Sequence, residues 1–162
     1  MISLAPSQNT EKVYSLLQQI PDPEIPVISI LELGIVRSVE WVEGQFEIRI
    51  TPTYNACPAL FTIKEDIEKL MEQNGISVRV LSVLSPSWTT DWISKEGREK
   101  LLKYGISPPV DSEFEDLKKM GKLCPRCFSK NTKEISRFGS TLCKATYQCS
   151  DCLEPFDYFK CH

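Results

Sequence analysis

The chain has 162 residues, of which 41% are hydrophobic, and a formal net charge of −3 at pH 7. This size and content fit one modest core with a small extra module, and exclude two full-sized domains. No segment approaches the roughly 18–20 uninterrupted apolar residues of a membrane helix. The first residues also lack the basic start and apolar run of a secretory signal, so the sequence predicts a cytoplasmic protein without a membrane partner.

The charges are distributed unevenly along the chain. Residues 1–120 carry 12 basic and 18 acidic side chains, whereas residues 121–162 carry 7 and 4. Metal-bound thiolates in the second segment would bring it close to neutral. The segment therefore lacks the concentrated basic face of a nucleic-acid-binding protein, and nucleic acid is not an expected partner.

The only histidine, His162, is the last residue. Hydrolytic triads and histidine-rich metal sites both need imidazole in the interior of a site. We therefore expect no conventional hydrolase chemistry, and any metal ion should be held mainly by sulfur or carboxylate.

The first third of the chain predicts one helix and a hairpin. Residues 10–20 place Val13, Leu16, Leu17 and Ile20 on one stripe, with Thr10 as the candidate N-cap. Three prolines then make residues 21–26 a rigid loop. Residues 34–42 and 45–52 read as two strands joined at Glu43 and Gly44, the second with alternating apolar side chains.

A helix and a third strand complete the first domain. Apolar residues recur at three- and four-residue intervals up to a glycine stop at Gly75, and the stripe consists of Leu60, Ile63, Ile67 and Leu70. Residues 78–84 form the next strand, and a strand–helix–strand crossover of this length favours parallel pairing. The predicted fold class is α+β: a small two-layer α/β domain with a three-stranded mixed sheet and helices, followed by a C-terminal four-cysteine zinc ribbon.

The second half predicts smaller parts. Residues 94–104 indicate a further helix, which extends the first domain over residues 1–105. Residues 106–120 are predicted to be a linker with a short helix opened by a capping box at Ser112 and Glu115. The zinc-ribbon module then occupies residues 121–162.

The strongest motif in the chain is a pair of C-x2-C sequences, Cys124 with Cys127 and Cys149 with Cys152, separated by 21 residues. Two such pairs on a hairpin complete a tetrahedral thiolate shell with no open position, so the predicted zinc is structural. A segment this short has too little core to fold unaided. Redox dithiols and an iron–sulfur cluster are the alternatives.

Three cysteines lie outside the two pairs. Cys143 and Cys161 are either buried structural thiols or a second metal or redox pair. Cys57 precedes Pro58 at the start of the predicted helix, where the helix dipole and unpaired N–H groups lower a thiol pKa. Burial as a small apolar residue is the alternative for Cys57.

Two carboxylates in the proline-rich loop, Asp22 and Glu24, offer oxygen ligands or hydrogen-bond acceptors; the alternative is that both are solvated turn residues. The tryptophans favour core or interface roles, although two of them lie four residues apart on a threonine-rich segment. They are Trp41, Trp88 and Trp92.

Longer motifs carry a resemblance to known families. Three segments together resemble the domain shared by SufT-like and eukaryotic cytosolic iron–sulfur assembly factors. They are the proline-rich loop at residues 22–26 (DPEIP), residues 33–36 (LGIV) and residues 51–58 (TPTYNACP). The whole chain is similar to the PaaD family, encoded with phenylacetyl-CoA epoxidase. The further matching segments are residues 86–92, 104–109, 138–145 and 154–161.

The resemblance implies an iron–sulfur or iron maturation factor for that multicomponent epoxidase in aerobic phenylacetate degradation, and therefore a protein that is not itself an enzyme. Cys57 would be a transient ligand, with Asp22 and Glu24 nearby, and the paired cysteines would hold the metal of the ribbon. The implied partners are the diiron oxygenase subunit, the [2Fe–2S] reductase subunit and iron–sulfur assembly proteins, and a homodimer sharing a cluster is compatible. Phe128 departs from the glycine that commonly follows the first pair, which predicts strain in that turn.

Two other functions remain open at this point. The first is a non-catalytic docking subunit of the epoxidase that carries no iron, supported by the aromatic segment and the ribbon. The second is a nucleic-acid-binding zinc ribbon, which the acidic first domain disfavours.

Overall fold

The computed structural model describes residues 6–109 and 122–160. Contacts between Cα atoms divide the chain into two compact units, Met1–Trp88 and Thr89–His162. Among the described helices, none has the length and apolar character needed to cross a bilayer. The short helix predicted after Ser112 lies outside the described residues, as do Cys161 and His162.

The first unit contains the predicted hairpin and crossover. Helix α1 spans Pro6–Leu17, strands β1 and β2 span Val36–Val42 and Gln45–Ile50, helix α2 spans Ala59–Gln73, and strand β3 spans Val78–Ser82. Strand β2 is central: it pairs antiparallel with β1 and parallel with β3. The predicted three-stranded mixed sheet is therefore confirmed.

Turn chemistry explains where these elements end. Glu43 and Gly44 both have positive φ, 49° and 89°, as a two-residue hairpin turn that matches strand twist requires. Helix α2 ends at Asn74, and Gly75 follows with a φ of 68°. Helix α1 begins at Pro6 rather than after Thr10, so the predicted N-cap was wrong; proline suits the first helical turn because its missing N–H would have no partner there.

The core of the first unit lies between the sheet and the helices. The alternating residues of β2 are at most 2% exposed, and they are Phe46, Ile48 and Ile50. The four predicted core residues of the first helix are also buried. The stripe of α2 differs in two places: Ala59 and Met71 are buried, whereas Leu60 and Leu70 are only half-buried.

The second unit contains the ribbon. Helix α3 spans Lys95–Tyr104, with Ser94 as its N-cap and left-handed Gly105 as its C-cap. Strand β4, Ile106–Ser107, is followed by β5 (Thr132–Ser136), β6 (Lys144–Cys149) and β7 (Pro155–Phe159). The sheet order is β4-β7-β6-β5, antiparallel except for the parallel pair β4 and β7.

Strand β4 changes how the middle of the chain is divided. Helix α3 contacts β4, and β4 pairs with β7, so both belong to the same compact unit as the ribbon. The predicted linker therefore opens with two residues of sheet. The boundary at residue 105 was inferred from periodicity, which cannot show a pairing between residues about 50 positions apart.

Candidate functional site: a four-thiolate centre and the Cys57 loop

The four paired cysteines converge on one point. Their Sγ atoms all lie within 4.8 Å of one another. The Sγ of Cys124 is 3.7 Å from that of Cys152, and the Sγ of Cys127 is 3.5 Å from that of Cys149. A tetrahedral shell with metal–sulfur distances of about 2.3 Å separates its sulfurs by about 3.8 Å, whereas a disulfide needs about 2.05 Å. The geometry therefore fits one metal ion and excludes disulfides.

Backbone turns build this arrangement. The N–H of Phe128 donates to the carbonyl of Cys124 at 2.9 Å, which closes the first turn around its pair. In the second turn the N–H of Cys152 points at the Sγ of Cys149 from 3.5 Å. Cys124 and Cys149 are completely buried and pack with Phe156, so the sulfurs themselves form the core at this end of the ribbon.

The pKa values of the clustered thiols differ. The backbone N–H groups of Cys152 and Asp151 stabilise the thiolate of Cys149 and lower its pKa to about 7. At Cys127 the N–H of Ser129 favours the thiolate, yet burial and the neighbouring sulfurs raise its pKa to about 12. Four adjacent sulfurs cannot all ionise without a cation between them. The donor set is thus complete only with a bound metal ion.

Side chains tie the two turns together. The amide of Asn131 donates to Asp151 at 2.9 Å, and the hydroxyl of Ser129 donates to the other oxygen of the same carboxylate. Arg126 forms an ion pair with Glu154 at 2.8 Å. These contacts fix the spacing of the cysteine pairs, whose role as ligands was predicted from spacing alone.

Both turns are strained at the residue after the second cysteine. Phe128 and Leu153 have φ angles of 61° and 63°, in the left-handed region that glycine adopts freely. The two side chains are 61% and 67% exposed. Strain at Phe128 was predicted from the absent glycine; the same feature at Leu153 was missed, although it also follows a C-x2-C pair.

Replacing Phe128 by glycine is expected to stabilise the metal-loaded ribbon by about 1 kcal/mol. The left-handed conformation costs a residue with a Cβ about 1–2 kcal/mol, and the added freedom of glycine in the unfolded chain returns about half of that. The thermal midpoint of the ribbon measures the change. Phe138→Gly is the matched control, because Phe138 is equally exposed but has no positive φ; equal shifts in both variants would contradict this explanation.

Cys57 lies at the start of helix α2, as predicted. It precedes Pro58, the N-cap, and its carbonyl accepts from the N–H of Leu60 at 3.2 Å. Its own N–H donates to the carbonyl of Tyr54 at 3.1 Å. The thiol is half-buried.

The prediction that the helix terminus lowers the pKa of Cys57 was wrong. The pKa of this thiol is raised. Burial of the sulfur is the largest cause, and the negative charges of Glu24 and Asp22 add to it. Hydrogen bonds from the Ala59 N–H and the Tyr54 side chain lower the pKa but do not outweigh these effects. Both predicted carboxylates therefore lie within electrostatic range of the thiol.

Asp22 shapes the proline-rich loop and is not a solvated turn residue. It is 5% exposed. Its Oδ1 accepts from the N–H groups of Glu24 at 2.9 Å and Ile25 at 2.8 Å, and its own N–H donates to the carbonyl of Ile28 at 2.9 Å. One carboxylate oxygen therefore holds the loop in the conformation that presents Glu24, which is half-buried.

Sequence reasoning missed a capping interaction that follows this loop in the chain. Ser29 and Glu32 cap each other: the N–H of Ser29 donates to Glu32 Oε2 at 2.9 Å, and the N–H of Glu32 donates to Ser29 Oγ at 3.1 Å. The S-x-x-E spacing is the signal that could have found it. The indole of Trp88 donates to the Leu33 carbonyl at 2.9 Å, so this tryptophan is a core residue of the first unit, as expected.

The two sites differ in what they can hold. Within residues 6–109 and 122–160, the ribbon cysteines are the only group of three or more candidate ligands gathered closely enough for a metal ion. The Cys57 loop contributes one thiol with two carboxylates near it. Any ion bound there would need further ligands from outside the loop.

In comparisons with known proteins, the segments that contain the two sites match two different families. Residues 10–81 match the family described as iron–sulfur cluster assembly protein, and residues 108–160 match the PaaD zinc beta ribbon domain. The chain resembles a crystal structure of a DUF59 domain from Bacillus anthracis, at 27% identity and a TM-score of 0.55, over 59% of this chain and 92% of that one.

Two curated proteins are also similar. An Fe-S protein maturation auxiliary factor of Porphyromonas gingivalis is 31% identical over 97 residues, 58% of this chain and 91% of that protein. A protein of Escherichia coli K12, named as a subunit of 1,2-phenylacetyl-CoA epoxidase, is 47% identical over 162 residues, 99% of this chain and 98% of that protein. The chain therefore belongs to the PaaD family, in which an iron–sulfur assembly domain precedes a four-cysteine ribbon.

Proposed function

We propose that this chain is a cytoplasmic maturation factor that delivers iron, alone or as an iron–sulfur cluster, to a subunit of phenylacetyl-CoA epoxidase. The carrying observation is that the half-buried Cys57 thiol lies within electrostatic range of Glu24 and Asp22, inside the segment that matches iron–sulfur assembly proteins. The related E. coli protein is named as a subunit of that epoxidase, which supports the choice of client.

The chemistry of this role is ligand exchange at Cys57. When iron binds, the S–H bond breaks, the proton leaves to solvent and an Fe–S bond forms. The two carboxylates disfavour a bare thiolate but favour a cation beside it. Because the loop supplies a single thiol, thiolates of the client can displace it, and the proton returns to Cys57 as the cargo leaves.

The ribbon is proposed to hold a structural zinc ion. Four cysteine sulfurs without an open position are the donor set of structural zinc sites. The proposed docking partners are the oxygenase and reductase subunits, and the proposed donors are iron–sulfur assembly proteins. A homodimer in which two Cys57 loops share a cluster would supply the further ligands. No catalytic residue is assigned, so the factor is proposed not to be an enzyme.

A docking subunit that carries no iron is the second candidate. The name of the E. coli relative favours it, because a subunit can bind its complex without handling metal. This alternative predicts stoichiometric co-purification with the oxygenase that does not depend on Cys57.

Metal analysis of Cys57→Ser separates the two functions. We expect anaerobically purified wild-type protein to contain about one zinc per chain, with iron and sulfide below stoichiometry that disappear in the variant. The [2Fe–2S] content of the co-expressed reductase should fall with them. Cys143→Ser is the matched control, since Cys143 is 2% exposed and lies outside both sites.

The opposite results are equally informative. Normal loading of both client subunits by Cys57→Ser would reject the carrier role and favour the docking subunit. Iron that is retained without Cys57 would place a cluster in the ribbon instead of zinc.

A further inference from the structure

One face of the ribbon sheet carries an open cavity. A cavity of about 380 Å³ lies over Ala145, Tyr147 and Tyr158. Ala145 pairs with Tyr158 across β6 and β7, and Tyr147 pairs with Glu134 across β5 and β6, so these side chains share one face. Ala145 is the smallest of them and forms the floor of the cavity.

Basic side chains surround this cavity. Lys122, Arg137 and Lys160 line it, against one acidic residue, Glu134. Lys122 precedes β5, Arg137 follows β5, and Lys160 follows β7, so the three cations come from three different segments of the ribbon. Three cations against one carboxylate favour an anionic ligand, and their separate origins allow each to pair with a different carboxylate.

The positions of two of these cations are fixed by internal contacts. The Nζ of Lys122 lies 4.5 Å from the ring centroid of Tyr158. The Nζ of Lys160 donates to the carbonyl of Arg137 at 2.9 Å. An ordered charge loses less conformational freedom when it pairs with a ligand, so these cations are prepared for binding.

The tyrosine rings are already engaged, which disfavours a nucleotide as the ligand. Tyr147 meets Tyr158 edge to face, with centroids 5.4 Å apart, and stacks on Phe156 at 6.1 Å. Tyr158 also contacts the ammonium of Lys122. Nucleic-acid sites rely on aromatic faces on which bases stack, and here the rings stack on protein.

Strand β5 adds a second recognition element. It is the edge strand of the described four-stranded sheet and lies directly beside the cavity. An extended peptide can hydrogen-bond to such an edge, with alternate side chains directed to the adjoining face. Ile135 and Phe138 are 55% and 63% exposed at this edge and offer apolar contacts.

We propose that this cavity and the edge of β5 bind an extended acidic segment of a partner protein, whose carboxylates pair with Lys122, Arg137 and Lys160. The site uses neither the Cys57 loop nor the four ribbon ligands. It therefore holds or fails independently of the iron-carrier function.

Selection of peptides on the full-length, metal-loaded chain tests this site. Short random peptides displayed on phage are enriched, synthesised and titrated by fluorescence anisotropy. We expect enriched peptides with a net negative charge, and about ten- to a hundredfold weaker binding to Lys122→Glu/Arg137→Glu. Ala145→Leu, which fills the cavity without changing its charge, should weaken binding as well.

Lys95→Glu/Lys100→Glu is the matched control, because it makes the same charge change at exposed residues of α3 that neither line the cavity nor lie on β5. It should bind the peptides with an affinity within about twofold of wild type, because salt screens the effect of exposed charges that do not contact the peptide. Metal content and thermal midpoint establish that each variant is folded.

Several outcomes would overturn the proposal. They are no enrichment, enrichment of neutral or basic peptides, or equal binding by the Lys122→Glu/Arg137→Glu variant. Saturable binding of ADP that this variant abolishes would reassign the cavity to a nucleotide. Self-association that it abolishes would reassign it to a second copy of the chain.

Discussion

Removing the metal from the four-cysteine centre should unfold the ribbon and leave the first unit folded. Cys124 and Cys149 are part of the small core that the ribbon has at this end, so the core and the metal site are lost together. Structural metal ions in modules of this size contribute on the order of 10 kcal/mol to folding. We expect the same loss from chelation and from Cys124→Ser.

Hydrogen exchange distinguishes the two units in this experiment. Amides of β5, β6 and β7 should lose protection after chelation, whereas amides of β1, β2 and β3 should keep it. Cys143→Ser is the control, because this buried thiol contacts Thr141 at 3.0 Å and is not one of the four clustered cysteines. Ribbon amides that stay protected in the chelated protein would show that the sheet folds without metal.

Asp22→Ala should destabilise the first unit by about 2–4 kcal/mol, because it leaves two N–H groups, one buried and one part-buried, without their acceptor. Those donors belong to Glu24 and Ile25, and the acceptor is a carboxylate with 5% exposure. Urea unfolding followed through the first unit measures the change. The presentation of Glu24 to Cys57 should be lost with the loop.

Asp22→Asn is the matched variant for this experiment, since its amide oxygen can accept the same two hydrogen bonds without the charge. It should retain most of the stability that alanine loses. Equal destabilisation by both substitutions would mean that the carboxylate charge, and not the loop geometry, is what the first unit requires.

The sequence predicted those parts of the fold that are encoded locally. The alternation of Phe46, Ile48 and Ile50 identified β2, and the glycine at position 75 identified the end of α2, because each depends only on neighbouring residues. The four clustered ribbon cysteines were equally accessible, since two C-x2-C pairs at this separation indicate one shared metal site.

What was missed depends on contacts between distant segments. The sign of the Cys57 pKa shift arises from burial and from carboxylates more than 30 positions earlier, brought close by the Asp22 loop. Strand β4 has two residues and no periodicity of its own, so only its pairing with β7 reveals it. The cavity over Ala145 likewise combines side chains from three strands.

The hydrogen bond from Trp88 to Leu33 completes the first unit at its last residue. The indole of this tryptophan donates to a buried loop of the same unit, so Trp88 belongs to the core of that unit. The Porphyromonas relative and the Bacillus domain cover 58% and 59% of this chain, but 91% and 92% of their own lengths. A chain cut after Trp88 should therefore keep the fold of the first unit, whereas a cut before it would remove a core side chain.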